Sequence, residues 1–246
     1  MSFKEGDYVI ILYRERKYLR KLVKGMSLSV RGHTINFHDI LGKQDGQRVG
    51  EFFVLSPTLE DIILLGFERK TQIVYPKDAF YIALKLNVKR TDKVLEFGTG
   101  SGAMTTVLSY LAGEVWTYET SKDFYANALK NWEKFNLCTN VKAFNTNFLE
   151  AHFEEEFFDA CFVDVKEPWE YLEKVWKVLK QGKVCAFVLP TTNQVSKLLS
   201  FMKPLFTDLE VMEILLRHYK INPERLRPED QMPAHTAYLI FGRKRI

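Results

Sequence analysis

Cysteine is scarce in this 246-residue chain: three residues, an odd number without metal-ligand spacing, which excludes a disulfide framework and points to a reducing compartment. Cys161 and Cys185 stand in apolar, strand-like runs and are expected to be buried free thiols, with Cys138 apart from them. The five histidines are scattered and form no ligand pattern, so no metal site is expected. No apolar run is long enough to cross a bilayer. The first residues carry charge from Lys4 onward, where a signal peptide would need an apolar stretch. Repeats and low-complexity tracts are also missing. These absences leave a soluble, cytoplasmic globular protein of one enzyme-sized domain plus a small appendage.

Charge is present but unevenly placed. Residues 1–50 hold ten Lys/Arg against five Asp/Glu, and residues 217–246 hold seven against three, around a mildly acidic middle; the net formal charge is +4. Basic ends around an enzyme core suit a polyanionic substrate that approaches along an electropositive rim. Arg14, Arg16, Lys17, Arg20, Lys21 and Lys24, interleaved with Tyr13 and Tyr18, form one candidate patch, and Arg243, Lys244 and Arg245 a second.

The first fifty-odd residues read as short strands (6–13, 17–24, 27–30) joined by glycine-bearing turns, a small β-rich domain over residues 1–62. Thr58 and the apolar residues after it start a linker helix. Residues 63–246 alternate helix and strand: helix 77–87, strand 94–97, helix 102–112, strand 114–119, a helix capped by Ser121, strand 141–145, strand 159–164, a helix from Pro168 to Leu179, strand 183–189 and a helix through Gln194 to Phe201. Two late strands, 209–217 and 236–242, are expected to pair antiparallel. This alternation gives an α/β doubly wound sheet covered on both faces.

The most informative stretch is Val94-Leu95-Glu96-Phe97-Gly98-Thr99-Gly100-Ser101-Gly102. A strand runs into three glycines spaced G-x-G-x-G, and an amphipathic helix follows. A tight strand-to-helix turn needs glycine where a Cβ would block a ligand, and the helix-start amides then face a polar group of that ligand. Glu119 ends the next strand, about twenty residues on, where a carboxylate can hold two ribose hydroxyls. Two cofactors fit this outline. A dinucleotide fingerprint reads G-x-G-x-x-G, but here the third glycine comes one residue early and Ala103 follows it. The E-x-G-x-G run instead resembles motif I of class I S-adenosylmethionine-dependent methyltransferases, with their Rossmann-like sheet. An NAD-linked oxidoreductase is the disfavoured alternative.

Open α/β sheets bind ligands at the carboxyl ends of their strands. Asp164 occupies that end of the fourth strand and opens Asp164-Val165-Lys166-Glu167-Pro168-Trp169, where it either caps the following helix or faces a methyl acceptor. The Asp-x-x-Glu-Pro-Trp segment resembles the active-site segment of the tRNA (adenine-58-N1)-methyltransferases of bacteria and archaea. Three further stretches resemble the same family: Tyr75-Pro76-Lys77-Asp78, Leu189-Pro190 with Gln194-Val195, and Arg227-Pro228 with Met232-Pro233-Ala234-His235-Thr236-Ala237-Tyr238. With the β-rich N-terminus, the resemblance covers nearly the whole chain.

That resemblance implies S-adenosylmethionine as cofactor, tRNA as partner, a homotetrameric assembly and N1 of adenine 58 as the methyl acceptor. It implies catalytic roles for Asp164, which would also border the cofactor beside its methyl group while facing the acceptor's exocyclic amine, and for Tyr75, near the target base or the methionine part of the cofactor. Gly98, Gly100, Ser101 and Gly102 would surround the methionine end. Glu96 would orient the turn and the amino group, and Glu119 would hold the ribose. Many class I enzymes read the adenine amine with an aspartate after strand three; Asn145-Thr146-Asn147 stands there instead, and Asn147 is the neutral candidate. Methylation of adenine 57 as well, or of a protein isoaspartate or small-molecule acceptor, are the alternatives on the same fold. A catalytically silent tRNA-binding subunit should have lost the glycine turn or Asp164, and both are present.

Overall fold

The computed structural model describes residues 2–232 and 234–246; Pro233, in the C-terminal family-like stretch, lies outside them. The chain divides into two compact units, Met1–Phe67 and Glu68–Ile246. In the first, β1 (Tyr8–Tyr13) pairs antiparallel with β2 (Arg16–Lys21), which sets Tyr8 opposite Lys21. β3 (Ser27–Val30) and β4 (His33–Asn36) form a separate hairpin. β5 (Arg48–Val49) and β6 (Phe52–Leu55) complete a four-stranded sheet of order β2-β1-β6-β5. Val9, Ile11, Leu22, Phe37, Ile40, Phe52 and Val54 make its core. The expected linker helix is one short turn, α1 (Leu59–Asp61), closed by a capping box in which Thr58 and Asp61 exchange hydrogen bonds. A wide turn follows, where the Phe67 N–H donates to the Ile62 carbonyl at 3.1 Å, and the first unit ends there rather than at residue 62.

The basic residues of the first candidate patch lie on and beside β2. Arg16, Lys17, Arg20 and Lys21 are all exposed. The Lys17 ammonium is taken up by Asp61 at 2.8 Å. Arg14 and Arg20 lie over the rings of Tyr13 and Tyr18.

The second unit carries the elements that position the site. They are α2 (Pro76–Lys85), β7 (Lys93–Phe97), α3 (Ala103–Leu111), β8 (Glu114–Tyr118), α4 (Lys122–Phe135), β9 (Val141–Phe144), β10 (Ala160–Val163), α5 (Leu172–Val178), β11 (Val184–Leu189), α6 (Thr192–Met202), β12 (Phe206–Met212), the two-residue strands β13 (Tyr219–Lys220) and β14 (Arg227–Pro228), and β15 (Tyr238–Lys244). Seven of these strands form one sheet of order β12-β15-β11-β10-β7-β8-β9. β11, β10, β7, β8 and β9 run parallel, and β15 is antiparallel to both of its neighbours. Every residue of β10 and β11 is buried, as strands covered on both faces require. The chain winds outward from β7 to β9 and then crosses back to β10, so β7 and β10 flank the switch point of the sheet. Their carboxyl ends are where a ligand is expected.

Most expected elements appear within a residue or two of their sequence bounds. Ser121 caps α4 by accepting from the Phe124 N–H, and Pro76 stands in the first turn of α2. The helix expected from Pro168 is divided: a tight turn over Pro168–Tyr171 precedes α5. β12 stops at Met212, short of the expected 217; beyond it the Glu213 carboxylate meets His235 and the Ile214 carbonyl accepts from Lys77. The second basic patch is corrected at one residue. The Lys244 ammonium is buried, donates to the Leu179 carbonyl at 2.7 Å and to Glu156, and lies over the Trp176 ring. Arg243 is held by Asp208. The inward face of β15 continues to Lys244, so this lysine is structural, while Arg243 and Arg245 are exposed. Cys161 and Cys185 are buried neighbours on β10 and β11, both free. Among the described residues no helix is long and apolar enough to cross a membrane.

Candidate active site

The glycine turn joins β7 to α3 directly above Asp164. Gly98 has φ +88°, and a Cβ there would fall 2.0 Å from the Asp164 carbonyl oxygen. Gly102 has φ +81°, and its Cβ would enter the Trp132 ring, whose Nε1 donates to the Gly102 carbonyl at 3.2 Å. Backbone passes where any side chain would collide.

A cavity of about 480 Å³ opens over this turn. Its walls come from Thr71–Val74, the turn, the end of β8 with Glu119 and Thr120, Thr146–Phe148 after β9, and Asp164–Glu167 with Glu170 and Tyr171 after β10. Phe97, Phe148, Tyr118 and Tyr171 pack as an aromatic group along one side. The charged side chains of the lining are Glu119, Asp164, Glu167 and Glu170 against Lys166. Such a wall favours a ligand carrying positive charge and opposes a pyrophosphate.

Glu119 is 7% exposed, and both of its oxygens are held: Oε2 accepts from the Gly100 N–H and Oε1 from the Ser121 N–H, each at 2.9 Å. The acid is thereby fixed to the turn, with lone pairs left for hydroxyl donors. The Gly100 amide, expected to face the ligand, is engaged by Glu119 instead. Behind the turn Glu96 is fully buried, and neither of its oxygens makes a hydrogen bond of ordinary geometry. Burial, reinforced by the charges of Asp164 and Glu119 and opposed by the hydroxyls of Thr105 and Thr117, pushes its carboxyl up to about 8. Glu96 is therefore protonated near neutral pH.

A second, smaller cavity of about 170 Å³ adjoins the first. Gln72, Ile73, Val74 and Asp164 belong to both walls. The second is completed by Asp78, Val188, Pro190, Thr236, Ala237 and Leu239. Burial first, and then the negative charge of Glu119, pushes the Asp164 carboxyl up to about 7. One carboxyl thus stands between two compartments.

The structure brings Gly98, Gly100, Ser101, Glu119, Asn147 and Asp164 together on the larger cavity. Glu96 and Gly102 support the turn from behind and lie on neither wall. Tyr75 also lies on neither; its carbonyl accepts the Asp78 and Ala79 N–H groups at the start of α2, and its hydroxyl meets Gln72 at 3.3 Å. The three residues just before Tyr75 line both cavities instead. The oxygen of Asn147 caps its own turn by accepting from the Leu149 N–H, so this side chain offers its amide N–H groups rather than an acceptor for an adenine amine. Sequence reasoning missed Glu170 and Tyr171, although the i, i+3, i+4 spacing from Glu167 across a proline-started turn was a readable signal. It also missed Lys174, whose ammonium binds the carbonyls of Phe148, Leu149 and Ala151 and anchors the segment after Asn147.

A mixed sheet with a parallel core and a glycine turn at its switch point, an acid at the end of the adjoining strand and an anionic cavity above it define a class I S-adenosylmethionine-dependent methyltransferase. Residues 50–236 match the family described as the tRNA methyltransferase complex GCD14 subunit. A crystal structure of tRNA (m1A58) methyltransferase TrmI from Aquifex aeolicus is 59% identical, with all of both chains covered and a TM-score of 0.97. A Thermotoga maritima structure described as a SAM-dependent O-methyltransferase is 39% identical over 99% of this chain and 94% of that one, with a TM-score of 0.91. The tRNA (adenine(58)-N(1))-methyltransferase TrmI of Thermus thermophilus is 34% identical over 79% of this chain and 77% of its own length. The chain belongs to this family of tRNA methyltransferases.

Proposed function

We propose that the chain methylates N1 of adenine 58 in the T-loop of tRNA, giving 1-methyladenosine. The observation that carries this reading is Asp164, one carboxyl shared by a cofactor-sized cavity and a smaller one beside it. S-adenosylmethionine supplies a methyl group on a sulfonium, and the excess of carboxylates on the larger wall suits that cation. The cradle over Gly98, which a Cβ would fill, fits the close approach such a ligand needs. Glu119 holds the ribose hydroxyls, Gly98 and Ser101 border the methionine end, and Asn147 donates to a ring nitrogen of the adenine.

Adenine N1 is a neutral nucleophile with an exposed lone pair, so no strong base is needed to activate it. As the N1–methyl bond forms, the ring becomes positive and shares that charge with its exocyclic amine. The Asp164 carboxylate accepts from the amine, and the contact strengthens as charge develops, which lowers the barrier rather than only tightening substrate binding. A hydroxyl acceptor would instead have to lose a proton, and no second base stands opposite Asp164 among the described lining residues of the small cavity apart from Asp78, whose carboxylate is held by Lys77 and Thr236. Adenine 58 must leave its stack to reach the site, so grip on distant phosphates is required. The exposed Arg16, Arg20 and Lys21 of β2 supply it. The acting form is a cytoplasmic homotetramer, a state that sedimentation velocity reads directly.

The test is methyl transfer from labelled S-adenosylmethionine to an unmodified tRNA transcript and to one with guanine at position 58. Label in the first alone is the expected result. Label in both points to adenine 57 or another site, and label in neither, with the cofactor bound, removes tRNA as acceptor. Glu119→Ala is expected to weaken cofactor binding by about 100-fold, the loss of charged hydrogen bonds. Unchanged affinity by calorimetry would refute its ribose role.

A further inference from the structure

Lys77 lies in the stretch that resembles the family, yet its ammonium faces away from the larger cavity. It is only 14% exposed and donates in three directions. It bridges both oxygens of Asp78 at 2.8 and 2.9 Å, reaches the Ile214 carbonyl at 2.7 Å, and meets the Thr236 hydroxyl at 2.8 Å. Thr236 in turn donates to Asp78 Oδ2 at 2.9 Å. The carboxylate of Asp78 is 3% exposed, so the cluster is closed and almost dry.

The partners share one location. Asp78 and Thr236 are walls of the small cavity, and Ile214 follows Glu213 at the other root of the excursion between β12 and β15. The chain leaves the sheet after Met212 and rejoins it at Tyr238, and Lys77 binds both the outgoing segment, at Ile214, and the returning one, at Thr236. Outside this knot, His235 adds a second tie, with Nδ1 2.6 Å from Glu213 and Nε2 3.0 Å from the Pro190 carbonyl, itself part of the small cavity. None of Asp78, Ile214 or Thr236 lines the larger cavity.

We infer that Lys77 is a positioning residue for the methyl acceptor: its ammonium locks both roots of the 213–237 excursion and so fixes the wall of the small cavity opposite Asp164. The inference rests on reading that cavity as the acceptor's. A buried ammonium holding three segments has a second effect besides stability. It sets a wall that a transferring base must meet within a few tenths of an ångström, since small misplacements are costly in rate.

The test uses the full chain with Lys77→Met, Thr236→Val and Lys77→Arg. Lys77→Met leaves Asp78 buried without its partner and will lower thermal stability, so Thr236→Val, which keeps the Lys77–Asp78 pair, is the deciding variant. Expected are a fall in kcat/KM for tRNA of about 100-fold in Lys77→Met and about tenfold in Thr236→Val, with S-adenosylmethionine affinity by calorimetry held within about twofold in both. Lys77→Arg, able to pair with Asp78 again, should recover part of the loss. Wild-type kcat/KM in Thr236→Val overturns the inference, as does cofactor affinity that falls in step with activity. Hydrogen exchange separates this from the acceptor assignment. If the wild-type chain methylates no tRNA, that assignment fails, while faster exchange at residues 214–216 and 236–238 in both variants still supports the lock and unchanged exchange overturns it.

Discussion

Asp164→Asn is expected to lower kcat/KM for tRNA methylation about a thousandfold and to leave S-adenosylmethionine affinity within about threefold, the size that follows when one preorganised electrostatic contact to a developing charge is lost. The asparagine keeps the shape of both cavities and can still accept from an amine, but it carries no charge to meet the positive ring. Steady-state kinetics on tRNA beside calorimetry on the cofactor would check the split. The pH profile supplies an independent sign. Asp164 is held up to about 7 by burial and by Glu119, and the contact proposed to the amine needs the carboxylate. Wild-type kcat/KM should therefore rise with pH and level off above about 7, and the rising limb should vanish in Asp164→Asn. Because kcat reports the loaded enzyme, where a cation stands beside the carboxyl, its limb should lie at lower pH. An Asp164→Asn enzyme with wild-type rates would remove this mechanism and leave the fold untouched.

Gly98→Ala should be the most damaging single methyl group in the catalytic unit. The added carbon would lie 2.0 Å from a backbone oxygen, that of Asp164, and 3.3 Å from Val165 Cγ1, at a φ of +88°. The nearer obstacle is backbone rather than the loose end of a side chain, so β7 and β10 would have to part where they are hydrogen-bonded in parallel register. A loss of about 3–5 kcal/mol in unfolding free energy is expected, at the upper end of overpacking and backbone-strain effects, read from the midpoint of urea denaturation. Gly100→Ala is the internal control. Its Cβ would meet Thr71 Oγ1 at 3.3 Å, with the Gly98 carbonyl oxygen further off at 4.0 Å, so it should cost about 1–2 kcal/mol for left-handed backbone while projecting a methyl into the cavity. Its stability loss should be the smaller of the two and its loss of cofactor affinity the larger. The reverse order would show that the turn relaxes in a way its geometry does not allow.

The catalytic unit was legible because its signals are long and redundant. The buried runs of β10 and β11, the glycine turn, Ser121 before α4 and Pro76 and Pro168 at helical starts each specify structure locally. The N-terminal unit was half-read: β4, β5 and β6, two to four residues long, offer too few alternations to count, and β3, just as short, was visible because Gly25 and Gly32 mark turns on either side of it. For the site, glycine spacing and acids at strand ends mark a cavity, so the places of Glu119 and Asp164 on its wall were readable. A motif, however, does not say which way each of its residues points. Tyr75 caps a helix while Gln72–Val74 line the cavities, and Lys77 turns to the opposite side of the segment. Lys244 shows the same limit, since a lysine near a terminus reads identically whether it ends in solvent or against a buried carbonyl and a tryptophan ring.

The pair of amides on Glu119 has a thermodynamic corollary. Gly100 and Ser121 belong to the turns that begin α3 and α4, so one carboxylate couples two helix starts to each other. The contour a nucleoside meets is then fixed by the same bonds that complete folding, and its binding requires little further ordering of the chain. Association should accordingly proceed in one kinetic phase, its rate set by encounter, with a heat-capacity change no larger than the apolar area covered by the ligand itself.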